Sequence, residues 1–323
     1  MAIDLSYTEG VIAARDKYLL KDKVLRLCEM TVDDAFRSLL EYGFGGGAET
    51  ANSVYEYEKL IAKEEELLDE FILEYAPAKA DAAYFLLPRD FHNAKALLKA
   101  KLLGVDAEKM LASQGLVALS VLSNCVESGN YAALSDFSYL KDACESIEAI
   151  FSSEDELTGV EIGAIFERAL YSQMLYICKH SVSLKRSIQA KIDMTNLLTV
   201  FRAPDESSVS KSFIEGGKLS HAEIVSVREN DKKSGAAFER YSAFLALCYS
   251  AKEKGLPLTA AERYRDAYDI EKLSQNRYQL KRNEPFVYYV LRRKAESANV
   301  RIIFALLLLS ANEQEIKKRL RGV

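Results

Sequence analysis

The sequence contains few residues that interrupt helices, with 5 prolines and 15 glycines among 323 residues. It has no tryptophan, and its 5 cysteines are scattered and include no C-x-x-C spacing. An odd, scattered set of cysteines is typical of buried reduced thiols in a cytosolic protein, and it argues against a disulfide framework. The scarcity of proline and glycine favours long helices.

Long hydrophobic runs are also missing. The longest apolar stretch, Ile302 to Leu309, is far shorter than the ~20 residues that span a bilayer. The start of the chain lacks the basic and apolar segments of a secretory signal. Because 49% of the residues are hydrophobic and 28% are charged, the composition is that of a globular chain. We therefore expect a soluble protein.

Patterns that carry catalysis or bind cofactors are not found. The three histidines have no ligand spacing, no G-x-S-x-G elbow is present, and the Asp33-Asp34 pair has no second aspartate cluster. The segment Gly43–Gly47 lacks the ending of a phosphate loop, and we interpret it as a loop that stops a helix. The sequence thus predicts no catalytic, cofactor-binding or metal-binding residues and no cofactor, which points to a scaffold or coupling element.

Charge is unevenly distributed along the chain. The net charge of −5 argues against nucleic acid as the main partner. Residues 277–323 hold eleven Lys/Arg and four Glu, a local balance of +7 that leaves −12 for the other residues. The basic residues in 277–323 form either a surface for a partner or a solvated helix face. If they form a partner surface, charge reversal at Lys317, Lys318 and Arg319 will alter assembly and its salt dependence.

Three copies of one pattern, an acid followed three residues later by asparagine, divide the chain into thirds. Equal spacings of 103 residues separate Asp90-x-x-Asn93, Asp193-x-x-Asn196 and Glu296-x-x-Asn299. Similar apolar runs follow each copy, and a glycine (Gly115, Gly216 or Gly322) is expected to close each run with positive φ. The pattern predicts three structural repeats, with helical domains at 1–110, 111–215 and 216–323.

Helical periodicity continues through most of the chain. We predict helices at 7–30, 53–75, 158–180 and 259–282, with Thr31 as the N-cap of another. Glu64 interrupts the apolar stripe of 53–75, and Val300 to Leu309 is apolar on every side, which predicts an enclosed helix. No alternating strand is found, so the fold class is all-α. An asparagine inside a helix is costly unless its amide finds partners, and we expect Asn93, Asn196 and Asn299 to tie their helices to neighbouring elements.

The third repeat resembles the C-terminal signature of the C subunit of V-type ATPases and ATP synthases, a relative of the eukaryotic d subunit. The resemblance rests on Pro285-Phe286, Tyr288, Lys294, Glu296, Asn299, Arg301 and the ending Ile316-x-x-x-Leu320-Arg321. Asp90-x-x-Asn93 with Leu97-Leu98-Lys99, and Asp193-x-x-Asn196 with Arg202, are similar to the earlier repeats of that family. The acids, the asparagines and Arg301 carry over as fold signatures.

The resemblance implies a funnel of three similar helical domains around a pseudo-threefold axis. Such a protein lies peripherally at the cytoplasmic side of a membrane, as in the prokaryotic plasma membrane, between the rotating central shaft and the proteolipid ring. It contacts the membrane only through the ring, and it transmits torque between ATP turnover or synthesis and the transport of protons or sodium ions. It is not itself an enzyme.

Two other functions are compatible with the residues. One is an all-helical adaptor unrelated to a rotary ATPase, which would not co-purify with membrane ATPase subunits. The other is a helical enzyme, which would need an acidic or histidine cluster in a cleft.

Overall fold

The computed structural model describes residues 4–153, 158–227, 236–276 and 278–321, and in these ranges every regular element is helical. The predicted all-α class is confirmed. The N-terminal helices are α1 (Leu5–Arg15), α2 (Lys23–Leu27), α3 (Val32–Glu41), α4 (Tyr57–Tyr75) and α5 (Lys79–Leu103). The middle helices are α6 (Leu119–Ser128), α7 (Ser138–Ser152), α8 (Gly159–Ile177) and α9 (Val182–Arg202). The C-terminal helices are α10 (Glu206–Ser212), α11 (His221–Ser226), α12 (Ala236–Glu239), α13 (Ser242–Glu253), α14 (Thr259–Gln275), α15 (Glu284–Leu308) and α16 (Glu313–Lys317).

The long helices recur in pairs, in which α4, α8 and α14 each precede a helix that carries a signature. Helix α8 begins 102 residues after α4 (159 − 57), and its burial pattern follows the same offset. Residues buried at equivalent positions of the two helices are Leu60 and Ile162, Glu64 and Phe166, Phe71 and Gln173, and Ile72 and Met174. Because equivalent positions are buried, α4 and α8 bury equivalent faces in the protein interior.

The chain forms two compact units, one made of the segments up to Lys79 and from Asp266, the other of Ala80–Arg265. In the first unit the core surrounds Phe304, which stacks on Tyr57 at 5.5 Å and meets Phe36 edge-on at 6.3 Å. Ile303 and Phe304 are fully buried as expected for an enclosed helix, but Leu309 at its end is 77% exposed. The predicted division into three domains stays a prediction.

In the second unit α7 packs along α8, and α5 is tied to α9. Leu140, Cys144 and Ile147 of α7 are fully buried. The Tyr84 hydroxyl of α5 lies 2.7 Å from the Ser187 hydroxyl of α9. All five cysteines of the chain are buried and free, as their scatter in the sequence predicts.

The prediction of one helix over 7–30 is wrong. Helix α1 ends at Arg15, a 3₁₀ turn covers Asp16–Tyr18, and Leu19 is extended before α2 begins. Leu19 is buried and Lys21 adopts a positive φ of 45°. The break buries this leucine and turns the backbone towards α15, with which Lys21 forms a hydrogen bond.

Thr31 caps α3 as predicted, because its hydroxyl accepts a hydrogen bond from the backbone N–H of Asp34 at 3.2 Å. Gly43 follows that helix with φ of 72°, which agrees with the predicted helix-stopping loop. Gly45 has a φ of 57°, and any side chain there would overlap the carbonyl of Leu60 on α4. The glycine-rich segment is therefore needed for close packing of backbone on backbone.

The glycines expected to end the signature helices do not end them. Helix α5 ends at Leu103, where Gly104 has a φ of 65°, and α9 ends at Arg202, just before Pro204. Gly115 and Gly216 lie further along, in the connectors that follow these helices. Gly322 lies outside the described residues. The actual terminators are the residues that a helix end commonly uses, a left-handed glycine and a nearby proline.

Candidate functional site: three acid–asparagine anchors

The acid and the asparagine of each signature lie three residues apart on one helix, so their side chains share a helix face. We call each pair an anchor. The first anchor is on α5, the second on α9 and the third on α15. All six side chains belong to residues that are buried: Asp90, Asn93, Asp193, Asn196, Glu296 and Asn299. Buried polar groups at a repeated position need partners, and these partners define the site.

The first anchor holds the connector that leaves α5. The two carboxylate oxygens of Asp90 accept hydrogen bonds from the backbone N–H groups of Leu116 at 2.9 Å and Val117 at 3.0 Å. Asn93 accepts a hydrogen bond from the N–H of Ala112 at 2.8 Å and donates to the carbonyl of Ser113 at 3.4 Å. The connector is thus fastened at two points before α6 begins.

The second anchor repeats this arrangement. Asp193 accepts hydrogen bonds from the N–H groups of Lys218 at 2.9 Å and Leu219 at 3.0 Å, directly before α11. Asn196 bonds both backbone groups of Ile214, accepting from the N–H at 2.9 Å and donating to the carbonyl at 2.8 Å. The Tyr241 hydroxyl adds a further hydrogen bond to Asp193 at 2.6 Å.

The third anchor uses two separate segments of the chain. Asn299 bonds both backbone groups of Arg321, accepting from the N–H at 2.8 Å and donating to the carbonyl at 2.9 Å. Glu296 instead accepts a hydrogen bond from the N–H of Lys21 at 3.2 Å, in the segment that leads into α2. The N-terminal segment therefore takes the place that the connector occupies in the first two anchors.

Burial dominates the electrostatics of the three acids. It raises the pKa of Asp90 to about 6, although the N–H groups of Val117 and Leu116 act in the opposite direction. Burial also raises the pKa values of Asp193 and Glu296, against the hydrogen bonds that each accepts. These carboxylates face backbone N–H groups, an arrangement that fixes loops. Across the described residues, no group of three or more His, Cys, Asp or Glu could hold a metal ion.

Two glycines complete the first and second anchors, and their role was missed in the sequence. A side chain at Gly115 would overlap the carboxylate of Asp90, and one at Gly217 would overlap that of Asp193. They stand 25 and 24 residues after their acids (115 − 90 and 217 − 193). This nearly constant spacing is the signal that could have revealed them. Only glycine lets the backbone approach so closely that its N–H groups reach the carboxylate.

Arg301, the seventh signature residue, makes surface ion pairs. Its Nε lies 3.1 Å from an oxygen of Glu58, and its guanidinium lies 3.5 Å from Glu65, both on α4. All three side chains are about half exposed, and exposed pairs of this kind contribute less than about 1 kcal/mol. The ion pairs of Arg301 therefore contribute little to the stability of the first unit.

A buried ion pair lies near the third anchor and was not predicted. Glu64 of α4 contacts Arg293 of α15, and both side chains are nearly inaccessible. Glu64 also accepts a hydrogen bond from the N–H of Gly45 at 3.1 Å, and Arg293 donates to the Tyr289 hydroxyl at 2.8 Å. The acid that interrupts the apolar stripe of α4 thus joins the glycine-rich loop to α15.

The fold is all-helical, and the acid–asparagine anchors fix backbone segments outside their helices. Among the described helices, none is long and apolar enough to cross a bilayer. The sequence model of the ATP synthase (C/AC39) subunit family matches residues 8–319 of the chain. The protein therefore belongs to this family of structural, non-catalytic ATPase subunits, as the resemblance in the sequence indicated.

One curated relative supports the same assignment. The C subunit of the V-type sodium ATPase of Enterococcus hirae is 20% identical to this chain over 280 residues. The aligned region covers 83% of the chain and 83% of that relative. The similarity therefore extends over most of both proteins.

Proposed function

We propose that this protein is a central-stalk rotor subunit of a V-type ATPase, linking the rotating shaft to the proteolipid ring. The family match over residues 8–319 is the observation that carries the proposal. In this role the protein makes and breaks no covalent bond. It transmits torque between ATP turnover and ion transport, and it lies peripherally at the cytoplasmic side of the membrane, with the ring as its membrane contact.

The anchors suit a torque-transmitting element. A coupler must resist deformation, and close-packed helices do so because protein interiors approach crystal density. Loops are usually the more mobile parts of a fold, yet each anchor fastens backbone outside the long helices to the middle of such a helix through hydrogen bonds to buried side chains. The residues Asp90, Asn93, Asp193, Asn196, Glu296, Asn299 and Arg301 serve in this proposal as structural signatures of three repeat domains at 1–110, 111–215 and 216–323.

Co-purification and coupling test the proposal together. The tagged full-length chain, expressed in its own cells, is expected to co-purify from solubilised membranes with shaft and ring subunits. Membrane vesicles that lack the chain are expected to lose ATP-driven ion uptake, while the catalytic head still hydrolyses ATP. Re-addition of the purified chain should restore uptake. Normal uptake without the chain would refute the proposal, and co-purification with unrelated proteins alone would favour the adaptor.

The charge asymmetry needs a modified test, because one of its lysines has a structural role. Lys317 lies 2.8 Å from Glu29 and 2.6 Å from Glu313, so its reversal would disturb the packing of α16. Reversal of Lys318 and Arg319, which are exposed, changes the surface with less effect on the fold. If the basic end contacts a partner, this double reversal will weaken assembly most at low salt.

A further inference from the structure

The second unit contains a cleft of about 690 Å³ between α5, α8 and the segment that joins α9 to α10. Its lining includes the apolar residues Phe91, Phe166 and Leu170, together with Lys95 of α5. The volume falls within the usual range of ligand sites, about 300–1,000 Å³. Nothing in the anchors accounts for this space.

The equivalent contact between two helices in the first unit is filled by side chains, and we call this contact the seam. There α15, the signature helix of the third repeat, packs on α4, the helix equivalent to α8. The ring of Tyr57 stacks on Phe304 at 5.5 Å, and Arg301 pairs with Glu58 and Glu65. On α4 an aromatic ring thus packs on a ring of α15, and the adjacent carboxylate pairs with a cation of α15.

The repeat register shows which side chains the open seam lacks. With the 102-residue offset from α4 to α8, Gly159 takes the position of Tyr57 and Gly163 takes that of Ile61. Val160 takes the position of Glu58, and it is 76% exposed. The ring, the branched side chain and the carboxylate that fill the seam in the first unit are all absent here. Lys99 contacts the backbone of Gly159, so the room that this loss leaves lies beside Val160 and Gly163.

The cation of the seam is retained. With the 206-residue offset between the first and third signatures, Lys95 takes the position of Arg301. Glu167 takes the position of Glu65, and it also lines the cleft, whereas the acid equivalent to Glu58 is missing. Lys95 therefore has one acidic counterpart where Arg301 has two, and a second carboxylate would complete the seam.

Gly163 supports an occupant from outside the chain. A glycine within a helix costs roughly 1 kcal/mol relative to alanine. A Cβ at Gly163 would meet nothing within 4 Å, so the packing of this chain does not require glycine there. The open space beside Gly163 is accessible to another molecule, and a larger side chain at this position would fill it.

We propose that the α5–α8 cleft receives a segment of a partner polypeptide that presents an aromatic residue next to an acidic one. The ring lies against Gly163 and the apolar lining of the cleft, and the carboxylate pairs with Lys95. A polypeptide is the occupant that fits, because one turn of helix supplies these same groups to the seam of the first unit. The inference rests on the proposed function in one respect, because it requires that the protein works beside other polypeptides.

Site-specific photo-crosslinking in the assembled complex tests this proposal. A benzoylphenylalanine at Val160 is expected to crosslink to a second polypeptide, at a peptide that contains the aromatic–acid pair. The same probe at Leu256, which is 59% exposed and does not line the cleft, serves as the control and should give no such product. Crosslinks to lipid, to this chain alone, or equally from both positions would overturn the proposal.

Substitutions that fill the cleft provide the second arm. Gly163→Leu is expected to lower crosslinking from Val160 at least tenfold without lowering the thermal midpoint. Gly10→Leu is the matched control, because Gly10 is also a helical glycine with nothing within 4 Å of a Cβ. Lys95→Glu should lower crosslinking and Lys95→Arg should preserve it. Unchanged crosslinking in Gly163→Leu would refute an occupant at this seam.

The two proposals fail in different ways. If the chain co-purifies with shaft and ring subunits but Val160 yields no partner crosslink, only the cleft proposal fails. If Val160 crosslinks through an aromatic–acid peptide to a protein that is not part of an ATPase, the cleft proposal stands and the proposed function fails.

Discussion

Glu296 accepts a hydrogen bond from the backbone N–H of Lys21, although the two residues are 275 positions apart. In the first two repeats, Asp90 and Asp193 hold the backbone that leads from their own helix into the next repeat. The acid of the third signature instead holds the segment that leads into α2. Glutamate, one methylene longer than aspartate, makes this link between α15 and the segment before α2.

Glu296→Ala is expected to destabilise the first unit by roughly 1–3 kcal/mol, because it leaves a partly buried N–H group without its acceptor. Chemical denaturation of the purified chain measures the loss, and limited proteolysis should cut first within 16–22. Glu70→Ala, which removes an exposed acid from α4, is the control and should change stability by less than about 0.5 kcal/mol. Equal stability of the two variants would contradict a tie between α15 and the segment before α2.

Gly115→Ala and Gly217→Ala should each cost about 1–3 kcal/mol, because the new methyl group displaces a carboxylate that is already bonded to the backbone. Gly163→Ala is the matched control, since its methyl group meets nothing within 4 Å. It should stabilise helix α8 by about 0.5–1 kcal/mol. Thermal denaturation of the three variants measures these effects. Similar effects at all three glycines would show that close approach to the acids is unimportant.

The sequence predicted those features that repeat or that depend on neighbouring residues. Equal spacing of the three signatures identified the related helices, and Thr31 carried a local capping signal. The break after Arg15 could not be predicted, because it depends on Glu296, which lies far away in the sequence. For the same reason the role of Gly115 was misassigned, since its constraint comes from a side chain 25 residues earlier. Contacts between residues that are far apart in the sequence leave little trace in the local periodicity of apolar residues.

The buried ion pair shows a similar limit of the sequence. Glu64 looked like an interruption in an apolar stripe, because its partner Arg293 lies 229 residues away. A carboxylate at a core position of a helix is costly unless a cation and hydrogen-bond donors surround it. Only the structure shows that Arg293 and the N–H of Gly45 meet this condition.

Glu64→Met is expected to destabilise the protein by roughly 3–5 kcal/mol, because it leaves the guanidinium of Arg293 buried and unpaired. The double variant Glu64→Met/Arg293→Met should recover most of this loss, since methionines of similar length fill the space. The control is Lys63→Met, which breaks an exposed ion pair with Glu66 and should have little effect. Urea denaturation distinguishes these cases. A double variant as unstable as Glu64→Met would show that the cost does not arise from an unpaired charge.

Asp90 should make stability depend on pH in a direction opposite to that of most carboxylates. Its pKa is raised from 3.8 to about 6 in the folded chain, so the folded state binds a proton more readily than the unfolded state does. The resulting stabilisation is complete below the unfolded pKa of 3.8, and it is lost as the pH rises through about 6. A pKa shift of about two units corresponds to about 3 kcal/mol of stabilisation at low pH, and roughly half of this stabilisation remains at pH 5.

The measurement is the free energy of unfolding of the wild type minus that of Asp90→Ala, taken from pH 4.5 to pH 7.5. Subtraction cancels the titration of other groups, provided that the variant keeps the fold, which circular dichroism checks. The difference is expected to shrink as the pH rises, with most of the change between pH 4.5 and pH 6.5. A difference that grows with pH would mean that the N–H groups of Leu116 and Val117 outweigh burial and hold the carboxylate ionised.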